Sequence, residues 1–149
     1  MKTLVFILIF RLAAALYAEQ SVAEEGRSRF RAVDIYLDSK SSPLAAYQLE
    51  FSITNGFARI VGIEGGESPA FRQPPFYDPK AIQHERVILA AFSTDSLANL
   101  PHGKTRVATI HLECADTQQL QAELKLHIAA ESDGARIFGE TDFKERKTQ

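Results

Sequence analysis

Any chemistry in this chain of 149 residues must come from four histidines, one cysteine and scattered carboxylates. Nucleophilic catalysis would need a cysteine or serine beside a histidine base. The sequence contains no Gly-x-Ser-x-Gly segment, phosphate-binding glycine loop or metalloprotease histidine pair. Cys114 falls on the apolar face of an alternating segment, so we expect a small buried side chain and not a reactive thiol. The sequence therefore predicts a non-enzymatic protein without catalytic residues.

His111, Glu113 and His127 come nearest to a metal-ligand set. His111 and Glu113 alternate along one face of a segment, and His127 lies on the solvent face of the next segment. Two imidazoles and a carboxylate would suit zinc if those segments paired in register. Polar side chains on the outer face of a half-exposed sheet produce the same pattern. We adopt this simpler interpretation and predict no metal site and no cofactor.

Two carboxylate pairs remain, Glu64 with Glu67 and Glu131 with Asp133. A glycosidase needs two carboxylates on either side of a scissile bond, but carboxylates in turns are usually just solvated. Asp133 and nearby carbonyl groups offer a structural calcium site as a further alternative. A strong calcium site needs more closely spaced acids than this loop contains.

The central segment 67–85 is the main candidate for binding. It has no hydrophobic periodicity and contains four of the six prolines, so we expect a long ordered loop. Prolines lower the entropy cost of presenting aromatic rings to a ligand. In the alternative interpretation, the two phenylalanines fold back to close the end of the domain. The candidate binding residues are Phe71, Arg72, Phe76, Tyr77 and Asp78.

Short segments of period two must position these residues. Apolar and polar side chains alternate over 33–37, 47–53, 107–114 and 124–128, which is typical of half-buried strands. Residues 59–63 read as a further strand, and the almost wholly apolar run 87–92 suits a strand buried on both faces. Additional strands are predicted over 135–138 and 141–144, and 118–126 has a helix as its alternative. About eight or nine strands predict an all-β sandwich or barrel.

The N-terminus has the order of a secretory signal peptide. A short positive start, an apolar run and a small-residue stretch predict a signal over 1–18, cleaved after Ala18 or Ala15, with an uncleaved anchor as the alternative. Removing Lys2 and Arg11 changes the formal charge from −2 to −4. Residues 19–29 are predicted to be a flexible lead-in. The charge argues against nucleic acid as a partner, and we expect no stable membrane insertion after cleavage.

Three segments resemble cohesin-type modules. They are Leu-Ala-Ala-Tyr-Gln-Leu-Glu-Phe at 44–51, Val-Ile-Leu-Ala-Ala-Phe-Ser at 87–93, and the glycine-containing turn with its following strand at 100–112. The resemblance implies a nine-stranded jelly-roll β-sandwich of the cohesin and carbohydrate-binding superfamily over 30–143, with a C-terminal tail at 144–149. Some members of that superfamily bind dockerin modules, and others bind polysaccharide.

These observations predict a binding module for protein–protein recognition in an extracytoplasmic assembly, whether periplasmic, on the cell surface or secreted. The alternative is a glycan-binding module of the same superfamily that uses Tyr77 or Tyr36. Polysaccharide platforms rely on large flat rings, and this chain contains no tryptophan. A protein partner is therefore expected ahead of a glycan.

Overall fold

The computed structural model describes residues 28–115 and 119–146. This part of the chain forms seven strands and three one-turn 3-10 helices, the latter at Pro69–Phe71, Pro79–Ala81 and Leu97–Asn99. The strands are β1 (Ser28–Asp38), β2 (Ala46–Ile53), β3 (Ala58–Gly65), β4 (Arg86–Phe92), β5 (Lys104–Ala115), β6 (Ala122–Ala130) and β7 (Glu140–Glu145). No helix among the described residues has the length and apolar character needed to cross a membrane.

The strands form two antiparallel sheets. The odd-numbered strands make a four-stranded sheet in the order β3-β5-β1-β7, and the even-numbered strands make a three-stranded sheet in the order β4-β2-β6. Every connection therefore crosses from one sheet to the other, as in a jelly roll. The predicted all-β sandwich is confirmed, with seven strands in the described ranges where eight or nine were expected.

The core fills the space between the sheets because one face of each strand is apolar. Ile35 on β1, Leu49 and Phe51 on β2, and Ile110 on β5 are all fully buried. Tyr47 brings a polar group into this core, and its hydroxyl donates to the carbonyl oxygen of Val107 at 3.0 Å. Burial raises the pKa of Tyr47 far above its usual value, because the phenolate would lose its hydration.

The prediction of a strand over 135–138 was wrong. Only one isolated bridge forms there, between Ala130 and Arg136, because residues 131–139 must carry the chain from β6 to the opposite sheet. The helix alternative for 118–126 also fails, since Leu124 and Leu126 pair with β2 and pack against the core.

The boundaries of the domain differ slightly from those predicted at 30 and 143. β1 begins at Ser28, inside the predicted lead-in, and β7 continues to Glu145. Arg146 donates its backbone N–H to the carbonyl oxygen of Ala32 at 2.8 Å, so the first residues of the predicted tail belong to the sheet. The predicted signal peptide at 1–18 lies outside the described residues.

The central loop, residues 66–85, runs along one side of the sandwich and covers two strand edges. At the β3 edge, the Ile60 N–H donates to His84 at 2.9 Å and the Gln83 N–H donates to Ile60 at 2.7 Å. At the β4 edge, Phe76 and Ala90 exchange two backbone hydrogen bonds of 2.7 and 2.9 Å. Open edges invite pairing with other chains, so the loop protects both strands.

Candidate functional site

The structure separates the predicted binding residues of the central loop. Phe71 is only 2% exposed and belongs to the core, where its ring packs edge-on against Tyr47 at 5.3 Å between centroids. Phe76, in contrast, is 70% exposed. The fold-back interpretation therefore applies to Phe71 and not to Phe76, and Phe71 is withdrawn from the surface.

The other three predicted residues have different environments. Tyr77 is half-buried and packs partly against the core. Asp78 is exposed, and its Oδ1 accepts the backbone N–H of Lys80 at 2.9 Å, which caps the short helix Pro79–Ala81. Arg72 is exposed at the end of the preceding short helix. The loop thus contributes one prominent ring, Phe76, to the surface and not a cluster of them.

Phe76 joins a surface that the sequence did not indicate. Its backbone pairs with Ala90 of β4, and its ring stacks on Phe92 with 6.1 Å between centroids and 9° between planes. Phe92 is itself 64% exposed. The run 87–92 was predicted to be buried on both faces, and this was wrong. No described segment covers the outer face of the three-stranded sheet, so Ile88 and Phe92 meet solvent.

The outer side of this sheet carries apolar side chains on either side of a central glutamine. In the strand register, Gln48 at the centre lies between Ala90 and Ile128, while Ala46 lies between Phe92 and Ala130. The three alanines are half-buried, whereas the two rings and the two isoleucines are exposed. We call this surface the apolar face; it comprises Ala46, Phe76, Ile88, Ala90, Phe92, Ile128 and Ala130.

A charged border closes one end of the apolar face. Arg86 donates two hydrogen bonds to the Glu50 carboxylate, at 2.7 and 2.8 Å, and His127 Nε2 lies 3.3 Å from the same group. The hydrogen bonds from Arg86 lower the pKa of Glu50 to about 2. The charged groups at this end therefore already have partners within the domain. The apolar side chains beside them remain exposed to solvent.

The possible zinc ligands do not come together. His111 lies on β5 and His127 on β6, and these strands belong to opposite sheets. His111 Nε2 is 3.0 Å from Glu64 without hydrogen-bond geometry, and Glu113 pairs with Arg59 at 2.8 Å. Within the described residues, no three histidine, cysteine or acidic side chains form a set that could hold a metal ion.

The remaining sequence candidates have structural roles. Cys114 is buried, as expected for a small core side chain, and burial raises the pKa of its thiol. Glu67 accepts the backbone N–H of Arg106 at 2.8 Å, and Asp133 accepts that of Ala135 at 2.8 Å. Both carboxylates therefore order local backbone.

The outer side of the four-stranded sheet has a polar cluster that sequence reasoning missed. Arg146 donates to both oxygens of Asp34, at 2.7 and 2.9 Å, and the Thr109 hydroxyl donates to Asp34 at 2.8 Å. Arg106 donates to the Thr109 hydroxyl at 2.8 Å. Burial opposes ionisation of Asp34, but these hydrogen bonds outweigh it and lower the pKa of the carboxyl group. Asp34 and Thr109 are 75 positions apart in the sequence and meet because β1 pairs with β5. Predicting the cluster would have required the register of that strand pair.

No protein-family model and no curated protein sequence matches the chain. Among solved structures, a type I cohesin–dockerin complex from Clostridium thermocellum matches with a TM-score of 0.55 and 10% identity, over 73% of this chain and 81% of that chain. The non-cellulosomal cohesin from the hyperthermophilic archaeon Archaeoglobus fulgidus matches with a TM-score of 0.53 and 10% identity, over 74% of both chains. The chain therefore has a cohesin-like β-sandwich fold, as the resemblance in its sequence implies.

Proposed function

We propose that this cohesin-like domain is a non-enzymatic module that recognises another protein through its apolar face. The observation that carries the proposal is the stacked pair of exposed rings, Phe76 and Phe92, on the same surface as Ile88 and Ile128. Exposed apolar areas of this kind on a folded domain mark interaction sites. Aromatic side chains are also enriched at the centres of protein interfaces.

The fold positions these side chains without needing a partner. Phe76 is fixed by its backbone pairing with Ala90, and Phe92 ends a strand that pairs with β2 along its length. Hydrogen-bonded backbone holds both rings in place before binding. Little conformational entropy of this domain would therefore be lost when a partner docks on them. A preformed apolar surface supports recognition of a folded protein.

Two acidic residues lie at the end of the apolar face opposite Glu50, and their charge indicates what a partner would present there. Asp95 and Glu131 follow the ends of β4 and β6, beside Phe92 and Ala130, and form no ion pair with any described residue. Opposite charges across an interface guide association and fix its register. We therefore expect a protein partner with an apolar patch bordered by lysine or arginine.

The glycan alternative has less support at the positions expected for it. Tyr77 is half-buried, and the Lys104 ammonium lies 5.2 Å above the ring of Tyr36. Neither ring offers a free platform, and the chain contains no tryptophan. Of the similar structures, one is a complex of a cohesin with a dockerin, which is a protein partner of that domain.

Export completes the proposal. A signal sequence over 1–18 would deliver the domain to an extracytoplasmic assembly, in the periplasm, on the cell surface or in the medium. The expected mature domain has one cysteine, which is buried, so it needs no disulfide in an oxidising compartment.

The test is affinity capture from an extracytoplasmic fraction with three immobilised forms of the domain. They are the native sequence, the double variant Phe76→Ser with Phe92→Ser, and the control Phe30→Ser. Phe30 is 66% exposed on β1, so it matches the rings in type but lies on the other sheet. A protein retained by the native and control forms and lost by the double variant supports the proposal. Equal retention by all three forms contradicts it.

A further inference from the structure

The two edges of the three-stranded sheet are covered to different extents. At the β4 edge, the central loop pairs with the strand through Phe76. At the β6 edge, Ile137 donates its N–H to the carbonyl oxygen of Ala129 at 2.8 Å. On the side away from β2, no described residue forms a backbone hydrogen bond to residues 122–126. We call residues 122–126 the free edge.

The backbone geometry determines which groups the free edge presents. Thr54, directly after β2, donates its N–H to the Gln121 carbonyl oxygen at 2.9 Å, so the hydrogen-bonding groups of Gln121 point towards β2. Successive residues of a strand point their N–H and C=O groups in alternate directions, so those of Ala122, Leu124 and Leu126 point away from β2. Such unpaired groups are a template to which another strand can be added.

The charged side chains of the free edge are complementary to one another. Glu123 and Lys125 lie on the outer face of the sheet, both are exposed, and neither forms an ion pair with a described residue. Glu50 lies opposite Lys125 on β2 but is already bonded to Arg86. If two copies of the edge ran antiparallel about Leu124, Glu123 of each copy would lie directly opposite Lys125 of the other. Opposite charges in such positions stabilise a strand pair.

We propose that the free edge binds the free edge of a second copy of this chain, so that the domain forms a symmetric dimer through β6. Leu124 lies opposite its own counterpart and Ala122 opposite Leu126, which gives about six backbone hydrogen bonds. The next hydrogen-bonded alignment in either direction places Glu123 or Lys125 opposite itself. Like charges in opposed positions are destabilising, so the sequence selects the register centred on Leu124.

This dimer would present both apolar faces on the same side. Antiparallel strands are related by an axis perpendicular to their sheet, so the two three-stranded sheets would join into one sheet with a shared outer side. A partner that carries two binding segments could then engage both faces and bind more tightly than through one. The dimer contact does not include Phe76 or Phe92, so the inference does not depend on the proposed function.

Sedimentation equilibrium of the purified protein, from micromolar to millimolar concentration, tests the inference. The variants are Glu123→Lys, Lys125→Glu and the double variant that exchanges the two charges. Lys80→Glu is the matched control, because Lys80 is exposed in the central loop and forms no ion pair with a described residue. We expect a dimer whose dissociation constant rises at least about tenfold in each single variant. The double variant should restore it to within about threefold, and the control should not change it.

A monomer at every concentration would overturn the inference, and the alternating charges would then serve to protect the edge. Equal dissociation constants in the native protein and both single variants, or no recovery in the double variant, would also overturn it. Loss of the dimer in the Phe76→Ser, Phe92→Ser variant would place the contact on the apolar face instead. Circular dichroism of each variant checks the fold. Because this test needs no captured partner, the dimer and the proposed function can fail separately.

Discussion

The two outer faces of the sandwich differ in the side chains that they expose to solvent. On the four-stranded sheet, charged side chains pair with one another; Asp34 with Arg146 and Glu113 with Arg59 are examples. On the three-stranded sheet, alanines, isoleucines and phenylalanine rings surround the central Gln48, and the charged groups lie at the two ends, around Glu50 and at Asp95 and Glu131. Both faces are the outer sides of antiparallel sheets in one sandwich. The difference in polarity therefore comes from the side chains at the outward positions and not from the fold.

The contrast separates stability from recognition. Pairs such as Asp34 with Arg146 tie distant strands together, and their hydrogen bonds are already made within the domain. Exposed rings such as Phe76 and Phe92 add little to the domain, because their area is removed from water only when something covers it. Substitutions on the four-stranded sheet should therefore lower the free energy of unfolding, whereas substitutions on the apolar face should lower the affinity for a partner.

The largest expected effect concerns partner binding by the apolar face. Replacing Phe76 and Phe92 with serine removes two ring anchors, each expected to contribute about 2 kcal/mol to binding. The affinity for the captured protein should fall at least about 100-fold. Surface plasmon resonance with the purified partner measures this change. A loss of less than about threefold would place the interface elsewhere, whereas Phe30→Ser should leave the affinity unchanged.

The next effect concerns stability of the polar face. Asp34→Ala leaves Arg146 and the Thr109 hydroxyl without their shared acceptor and removes the carboxylate that lies 3.9 Å from Arg106, so the free energy of unfolding should fall by about 2 kcal/mol. Urea denaturation followed by circular dichroism measures it. Partner affinity should stay unchanged, since Asp34 lies on the opposite sheet. If stability changed by less than about 0.5 kcal/mol, the cluster would be a solvated surface feature.

A smaller effect is expected at acid pH from the border of the apolar face. Arg86 holds the pKa of Glu50 at about 2, below its usual value of 4.5. A depressed carboxyl pKa adds stability that is complete above the unfolded value and is lost as pH falls towards the folded value. The stability difference between the native protein and Glu50→Gln should therefore shrink between pH 4.5 and 2.

Denaturation midpoints measured across that pH range provide the check. Glu123→Gln is the control, because Glu123 is exposed on the same sheet and takes part in no ion pair with a described residue. Parallel acid profiles for the native protein and Glu50→Gln would contradict the pairing of Glu50 with Arg86.

The smallest effect tests a single methylene of the apolar face. Ile128→Val keeps the branched shape and removes one carbon, so partner affinity should fall up to about fourfold if Ile128 is covered on binding. The free energy of unfolding should move by less than about 0.5 kcal/mol. A stability loss above 1 kcal/mol with unchanged affinity would assign Ile128 to the core.

The sheets themselves were largely predictable from the sequence. Alternation around Leu49 and Phe51 identified β2, and alternation around Ile110 identified β5, because a period of two directly reflects which side chains face the core. The prediction of a strand over 135–138 was wrong, because a short apolar segment does not reveal that the chain must cross between sheets there. Pairing of β5 with β1 instead of β6 separated His111 from His127.

The candidate site was only partly predictable. Proline and aromatic content drew attention to the central loop and its five candidate residues, of which Phe76 is an exposed ring. Phe71, in the same loop, occupies the core beside Tyr47. Phe92 was missed because an apolar run has the same composition whether or not a further layer covers the sheet. Exposure depends on the number of layers, which local sequence does not encode.

Site-specific photo-crosslinking tests the central claim most directly. A benzoyl-phenylalanine is placed at Phe92 in one form of the domain and at Phe30 in another, and both are irradiated in the extracytoplasmic fraction. We predict one protein adduct at position 92, suppressed by excess native domain but not by the Phe76→Ser, Phe92→Ser variant, and no such adduct at position 30. An adduct at position 30 and none at position 92 would contradict recognition through the apolar face.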